Sequence, residues 1–363
     1  MGFPLEDSLE KKRIRVLAVD DSLVYRNLLR SAFSQDPEIE FLGAAIDGKF
    51  ALPKIAHLKP DFVVLDVEMP EMDGLTTLRE IRSQFPATKV IMLSSLTMEG
   101  AKVTLKAMEM GALDFVSKPD GVTAGGEKIS EALVSLIEKV KALYSKNGIN
   151  KPVQVVQRQN EISFRAPKRK YSICAIGIST GGPIALRELL SKIPSDLNGT
   201  IVIAQHMPPV FTNYLAENLR SSTALGIKEV EDGELLKKRA VYIAPGGKQL
   251  EILQSPEGPI ARVTAGPQEE LCKPSVNILF RSIAKNFSNE SIGVIMTGMG
   301  EDGYLGLKAM RETGSFLLAQ SQESCLVFGM PSRPVNEGLI DEISDISGIA
   351  EKISALMGWG AVV

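Results

Sequence analysis

Along the chain, short apolar runs alternate with longer amphipathic ones in two separate series. In the first series RVLAV (15–19), DFVVL (61–65) and KVIML (89–93) have no polar residue inside the run. Apolar runs without alternation read as strands covered on both faces. EFLGAA (40–45) and LDFVS (113–117) supply two more. Between the first two strands, SLVYRNLLRSAF places Leu23, Leu28, Leu29 and Phe33 at helical spacing. Strands alternating with helices predict a five-stranded parallel sheet with right-handed crossovers.

From Ser145 to Lys170 the pattern stops. SKNGINKPVQVVQRQNEISFRAPKRK is rich in Gln, Asn and Pro, and its apolar positions follow no period. That composition predicts a linker, and the closing KRK reads as a solvated charge run. A second strand–helix series starts at Tyr171, with SICAIG (172–177), TIVIAQ (200–205), AVYIA (240–244), SIGVIM (291–296) and SFLLA (315–319) as strands. KQLEILQSPEGPIARV, near 248–264, predicts an antiparallel hairpin turning at Pro256–Gly258. The expected organisation is an α/β unit over 14–135, a linker over 145–170, and a doubly wound α/β unit over 171–360 with a mostly parallel sheet and a hairpin.

Composition narrows the function. The 363 residues are 44% hydrophobic and 23% charged with a net charge of −3, so no general positive field draws the chain to nucleic acid or anionic lipid. No apolar run approaches the roughly 18 residues of a membrane span, and acidic residues stand where a signal peptide would carry its apolar core. A cytoplasmic protein is expected. The three cysteines (Cys174, Cys272, Cys325) form no CxxC pair, and their odd number argues against a disulfide framework. With only His57 and His206, zinc sites built on several histidines are excluded, and any imidazole base is one of these two.

Asp20 and Asp21 follow the first strand and Asp66 the third, with Ser94 and Lys118 closing the fourth and fifth. In an open parallel sheet these ends share one ligand-binding edge. Three carboxylates gathered there repel one another unless a hard cation such as Mg²⁺ joins them. A hydroxyl, an ammonium and a metal around one carboxylate are what an acyl phosphate on Asp66 needs. Asp after a strand is often only a helix cap, but five such residues ending the strands of one sheet favour a site. VDDS, LDVEMPEMDG, LSS and SKP resemble the receiver domain of two-component response regulators, a flavodoxin-like fold. The resemblance implies Mg²⁺ on Asp20, Asp21 and Asp66, phosphorylation of Asp66, and switch roles for Ser94 and Lys118. Phe115 falls where the family carries a switch aromatic, and core packing explains it equally well.

In the second series GISTG (177–181) places G-x-S-x-G between a strand and a helix starting near Pro183, the setting of a nucleophile elbow. A phosphate-cradling loop is the alternative. His206 directly follows TIVIAQ, on the same edge, and can remove a proton from Ser179; His57, in KIAHLKP, reads as a surface residue. A carboxylate should fix the imidazole, and MTGMGEDG (296–303) offers Glu301 and Asp302. Gly298, Gly300 and Gly303 also spell G-x-G-x-x-G, but on a late strand and without an acid placed for a ribose, which disfavours a dinucleotide site. The order Ser…His…Asp differs from the Ser…Asp/Glu…His of α/β-hydrolases.

GISTGGP, AQHMPP, IAPGG and MTGMGEDG together resemble the chemotaxis protein-glutamate methylesterase (CheB) family over about residues 170–360. The resemblance implies Ser179 as nucleophile, His206 as base and Asp302 as orienting acid, with the N–H groups of Thr180 and Met299 as candidates for the oxyanion. It implies hydrolysis of glutamate γ-methyl esters on chemoreceptors with release of methanol, and deamidation of specific receptor glutamines. No cofactor is expected for the esterase; a chemotaxis histidine kinase is expected as phosphodonor. The unphosphorylated receiver is expected to block the Ser179 edge. The chain ends GWGAVV, without the aromatic pentapeptide by which some of these systems tether enzyme to receptor. Two other functions compete: a receiver-controlled binding module with an inactive hydrolase-like domain, and a transcription factor, which the strand-rich second half disfavours. A hydrolase is expected to bring Ser179, His206 and Asp302 within hydrogen-bond reach of each other, about 2.6–3.2 Å between neighbours and looser without substrate.

Overall fold

The structure, a computed structural model, describes residues 12–118, 126–145, 171–269 and 272–358. Pro119, the expected linker beyond Ser145 and the terminal residues from Trp359 lie outside them. The chain divides into two compact units.

In the first unit β1 (Ile14–Val19), β2 (Ile39–Ala45), β3 (Phe62–Asp66), β4 (Lys89–Ser95) and β5 (Asp114–Lys118) form a parallel sheet in the order β2-β1-β3-β4-β5. The apolar run of β3 is buried over its whole length. The unit's helices are α1 (Leu23–Gln35), α2 (Gly48–Leu58) and α3 (Gly74–Gln84), with α5 (Gly126–Ser145) following the sheet; in sequence α4 (Met98–Glu109) lies between β4 and β5. Ser22, Asp47 and Asp73 start the first three by accepting the N–H of Tyr25, Phe50 and Thr76, each satisfying one orphan donor of a first turn. The strand order reverses at β1, which lies between β2 and β3, so the carboxyl ends of β1 and β3 adjoin at the switch point. The sequence pattern put Leu23 on the apolar face of α1, but it is 63% exposed while Leu29 and Phe33 are buried. Six residues of helix rotate Leu23 about 120° away from Leu29.

The second unit has seven parallel strands. They are β6 (Ile173–Ile178), β7 (Thr200–Gln205), β8 (Gly226–Glu229), β9 (Ala240–Ile243), β12 (Ser291–Ile295), β13 (Phe316–Gln320) and β14 (Glu342–Ser344). Their order is β14-β13-β12-β6-β7-β9-β8. The separate hairpin of β10 (Gln249–Ser255) and β11 (Gly258–Thr264) turns through Pro256 and Glu257, with Ser255 paired to Gly258. The helices are α6 (Gly182–Ser191), α7 (Phe211–Arg220), α8 (Val276–Phe287), α9 (Tyr304–Glu312), α10 (Ser332–Asn336) and α11 (Ile346–Met357). Phe280 on α8, fully buried among Val276, Ile295 and Leu307 of one core cluster, contributes about 1.5–3 kcal/mol by burial. The apolar pattern does not mark β8 and β14 as strands. Both are short and partly polar, and they form the two edges of the sheet, where such sequences guard against further pairing. Here β6 is the switch strand, with β7 on one side and β12 on the other.

Candidate active site

The ladder of the second sheet continues past its strands and fixes where Ser179 sits. His206 N–H donates to Ile178 O at 3.0 Å, and Ser179 N–H donates to Thr297 O at 3.0 Å. Ser179 therefore lies between the residues that follow β7 and β12. Gln205 Nε2 donates to the carbonyls of Ser179 and His206, at 3.0 and 3.1 Å, clamping the two loop starts together. The chain then turns sharply into α6. Gly181 takes the left-handed conformation at φ 79°, and a Cβ on Gly182 would stand 1.8 Å from Gln205 Oε1. Any larger residue at 182 would push the clamp away.

His206 Nε2 lies 2.8 Å from Asp302 Oδ2. Asp302, in the loop after β12, is 2% exposed. Besides His206 it is gripped by the start of α8, accepting from the Ser275 hydroxyl and from the N–H groups of Val276 and Asn277 at 3.0, 2.7 and 2.9 Å. A helix N-terminus suits a carboxylate through both its free donors and its dipole. Burial pushes the Asp302 pKa up, but the His206 contact and the Asn277 and Val276 donors outweigh it, and the net shift is downward. Burial likewise pulls the His206 pKa down, and the Asp302 and Cys272 contacts more than offset this to raise it. Of the two acids offered by the sequence, Glu301 instead pairs with Arg333 at 2.6 Å and leaves the imidazole to Asp302.

The serine–imidazole contact differs from expectation. The Ser179 hydroxyl makes no hydrogen bond among the described residues. Cys272 Sγ stands 3.5 Å from His206 Nδ1, the ring nitrogen that Asp302 leaves over. Neighbouring strand ends thus bring Ser179 and His206 side by side, but the thiol engages the nitrogen a serine proton would need. Around the serine, the N–H groups of Ser179 and Gly298 are spent on Thr297 O and Val327 O. Those of Thr180 and Met299 carry no hydrogen bond among the described residues. His57 is exposed on α2, in the first unit.

In the first unit Asp20 and Asp66 are buried and Asp21 is exposed, and one carboxylate oxygen from each lies within 4.8 Å of the others. Lys118 Nζ is 2.7 Å from Asp20 Oδ2 and 2.7 Å from Asp66 Oδ2. Burial and the Asp20 charge raise the Asp66 pKa to about 6 against the pull of Lys118. Lys118 is itself raised, because Asp66 and Asp20 outweigh its burial. The Asp20 Oδ2 atom is fully buried and, beside that ammonium, has no hydrogen-bond partner among the described residues. An all-oxygen donor set with an under-satisfied buried carboxylate fits a hard divalent cation. Ser94 is buried at the end of β4, and Phe115 is buried on β5.

Known proteins place this arrangement. The CheB methylesterase model matches residues 174–353 and the response regulator receiver model residues 16–125. A protein named protein-glutamate methylesterase/protein-glutamine glutaminase from Lawsonia intracellularis is 41% identical, over 94% of this chain and 99% of its own. A protein of the same name from Bacillus subtilis is also 41% identical, over 94% and 98%. The chain belongs to the CheB methylesterase family. The crystal structure of the Thermotoga maritima CheB methylesterase catalytic domain covers 51% of this chain and 97% of that one, with 36% identity and a TM-score of 0.50.

Several residues at the candidate site escape motif reading. Cys272, Ser275 and Asn277 lie in LCKPSVN, 25 or more residues before Asp302 in sequence. A serine directly before the amphipathic run VNILFRSIAKNF is a cap signal, so Ser275 was findable as a cap, though not as an Asp302 partner. Asn277 Oδ1 accepts from Gly303 and Gly306 at 3.1 and 2.8 Å and ties α8 to the start of α9. Thr297 Oγ1 donates to Thr180 O at 2.9 Å, while its N–H donates to Gln320 Oε1 at 2.9 Å. No helix among the described residues is long and apolar enough to cross a membrane.

Proposed function

We propose that this chain hydrolyses glutamate γ-methyl esters on chemotaxis receptors, releasing methanol, and deamidates specific receptor glutamines at the same site. The observation that carries the reading is the His206–Asp302 pair at 2.8 Å, set beside Ser179 by adjacent strand ends. In the reaction the Ser179 hydroxyl attacks the ester carbonyl as His206 Nδ1 takes its proton. Asp302 stabilises the imidazolium through Nε2. The free N–H groups of Thr180 and Met299 are the candidate donors for the tetrahedral oxyanion, each such donor being worth about 10²–10³ in rate. His206 then protonates the departing methoxide, and water, deprotonated in turn by His206, hydrolyses the acyl-serine. With an amide the same imidazole protonates the leaving nitrogen, so one serine serves both substrates.

Asp66 is the proposed phosphoryl acceptor, with a chemotaxis histidine kinase as donor, and its phosphorylation controls the esterase. Asp20, Asp21 and Asp66 would hold Mg²⁺, which when bound supplies positive charge to the phosphoryl oxygens. Lys118 neutralises the buried carboxylates from the other side, and Ser94 and Phe115 are the proposed switch residues. Methanol release from methylated receptor membranes tests the esterase. Ser179→Ala should abolish it; an unchanged rate in that variant would remove Ser179 as the nucleophile, and no methanol release by wild type would return the second unit to a binding role.

A further inference from the structure

Three cysteines stand in different surroundings. Cys174 and Cys325 are fully buried, whereas Cys272 is partly exposed at the candidate active site. Its Sγ lies 3.5 Å from His206 Nδ1, and His206 Nε2 lies 2.8 Å from Asp302. Acid, imidazole and thiol therefore form one connected line, the arrangement that activates a cysteine. The backbone holds the thiol there: Cys272 N–H donates to Glu269 O at 2.9 Å, and Cys272 O accepts from Gln249 Nε2 at 3.2 Å. The Ser179 hydroxyl meanwhile has no partner among the described residues. Thiol and serine compete for one ring nitrogen.

We propose that Cys272 is a modification site for hydroperoxides, and that its oxidation closes the esterase by occupying His206. This rests on the esterase reading given above. His206 Nδ1 takes the thiol proton, and the sulfur attacks the outer peroxide oxygen. The O–O bond breaks, the sulfur is oxidised by two electrons to Cys–S–OH, and the peroxide is reduced to water or an alcohol, which receives the proton. The sulfenic acid is larger than the thiol and both donates and accepts hydrogen bonds, so it holds Nδ1 away from Ser179. A small thiol reverses the step through a mixed disulfide, returning Cys272 to its reduced form. The two other cysteines are fully buried and lack access.

The test uses the full-length protein, hydrogen peroxide as oxidant, dimedone to trap sulfenic acid, and mass spectrometry to locate the adduct. The adduct should form at Cys272 ahead of Cys174 and Cys325. Its formation should slow about tenfold or more in His206→Gln, because the base that takes the thiol proton is gone. Peroxide should suppress methanol release by wild type, dithiothreitol should restore it, and Cys272→Ala should keep its own untreated rate in peroxide. Equal adduct formation in His206→Gln overturns thiol activation, and a full adduct with undiminished methanol release overturns the closure. Loss of methanol release in Cys272→Ala with retention in Ser179→Ala overturns both readings and makes the thiol the nucleophile. If untreated wild type releases no methanol, the esterase reading and the closure fail together, whereas the labelling rates still report on the thiol–imidazole pair.

Discussion

Asp302 meets the Nε2 edge of His206 at 2.8 Å while the start of α8 saturates the rest of its carboxylate. The acid is thus fixed before the imidazole needs it. The reactive form of His206 is unprotonated, and its pKa is raised. Methanol release should therefore climb with pH along a limb lying above the ordinary histidine value of about 6.5. Asp302→Asn removes the carboxylate that raises it, so the limb should move to lower pH while the plateau rate falls about 10²–10⁴-fold. A pH–rate profile of both proteins checks this, and an unmoved limb would separate His206 from the proton transfer.

Gln205 offers a test of positioning. Gln205→Ala frees the carbonyls of Ser179 and His206 from their shared donor and leaves a space beside Gly182. A stability loss of about 0.5–1.5 kcal/mol per lost hydrogen bond is expected, the Ser179 carbonyl keeping the Gly182 N–H. The kcat for methanol release should fall with little change in KM, since Gln205 touches no substrate. Steady-state kinetics and a denaturation curve on one preparation distinguish this from simple unfolding.

The raised Asp66 pKa is a statement about receiver stability. Its folded pKa of about 6 lies above the ordinary carboxylate value, so between those values the folded state binds more protons than the unfolded one. Stability of the metal-free unit should fall as pH rises from about 4 to about 6, then level off. At pH 7 Asp66→Asn should recover about 1–3 kcal/mol, an advantage that vanishes near pH 4 and shrinks when Mg²⁺ is added. Calorimetric scans of the full chain at both pH values, with and without Mg²⁺, read this directly.

The same substitution tests regulation. A small acyl phosphate with Mg²⁺ should accelerate methanol release by wild type and leave Asp66→Asn at its basal rate. Equal stimulation of the two would remove Asp66 from control of the esterase.

The fold was legible because fully covered parallel strands leave continuous apolar runs such as FVVLD and ICAIG, which have no other soluble reading. Edge strands such as GIKE and EIS leave no such trace, since half of each faces solvent. Ser179, His206 and Asp302 were legible for a topological reason: each follows a core strand, and strand ends meet at one rim. Cys272 was not, because it sits on the long connection between the β10–β11 hairpin and α8, whose path no periodicity dictates. Its contact with His206 spans 66 positions and depends on how α8 docks. Two of the partners of Asp302, the N–H groups of Val276 and Asn277, were hidden as well, being backbone donors that any sequence supplies.

Because Ser179 and His206 prolong the pairing of two central strands, their separation is a lattice constant of the sheet rather than a property of mobile connections. Warming cannot scatter the reactive groups piecemeal. Thermal inactivation should coincide with cooperative melting of the second unit, and the amides of Ser179 and His206 should exchange hydrogen as slowly as those of the core strands.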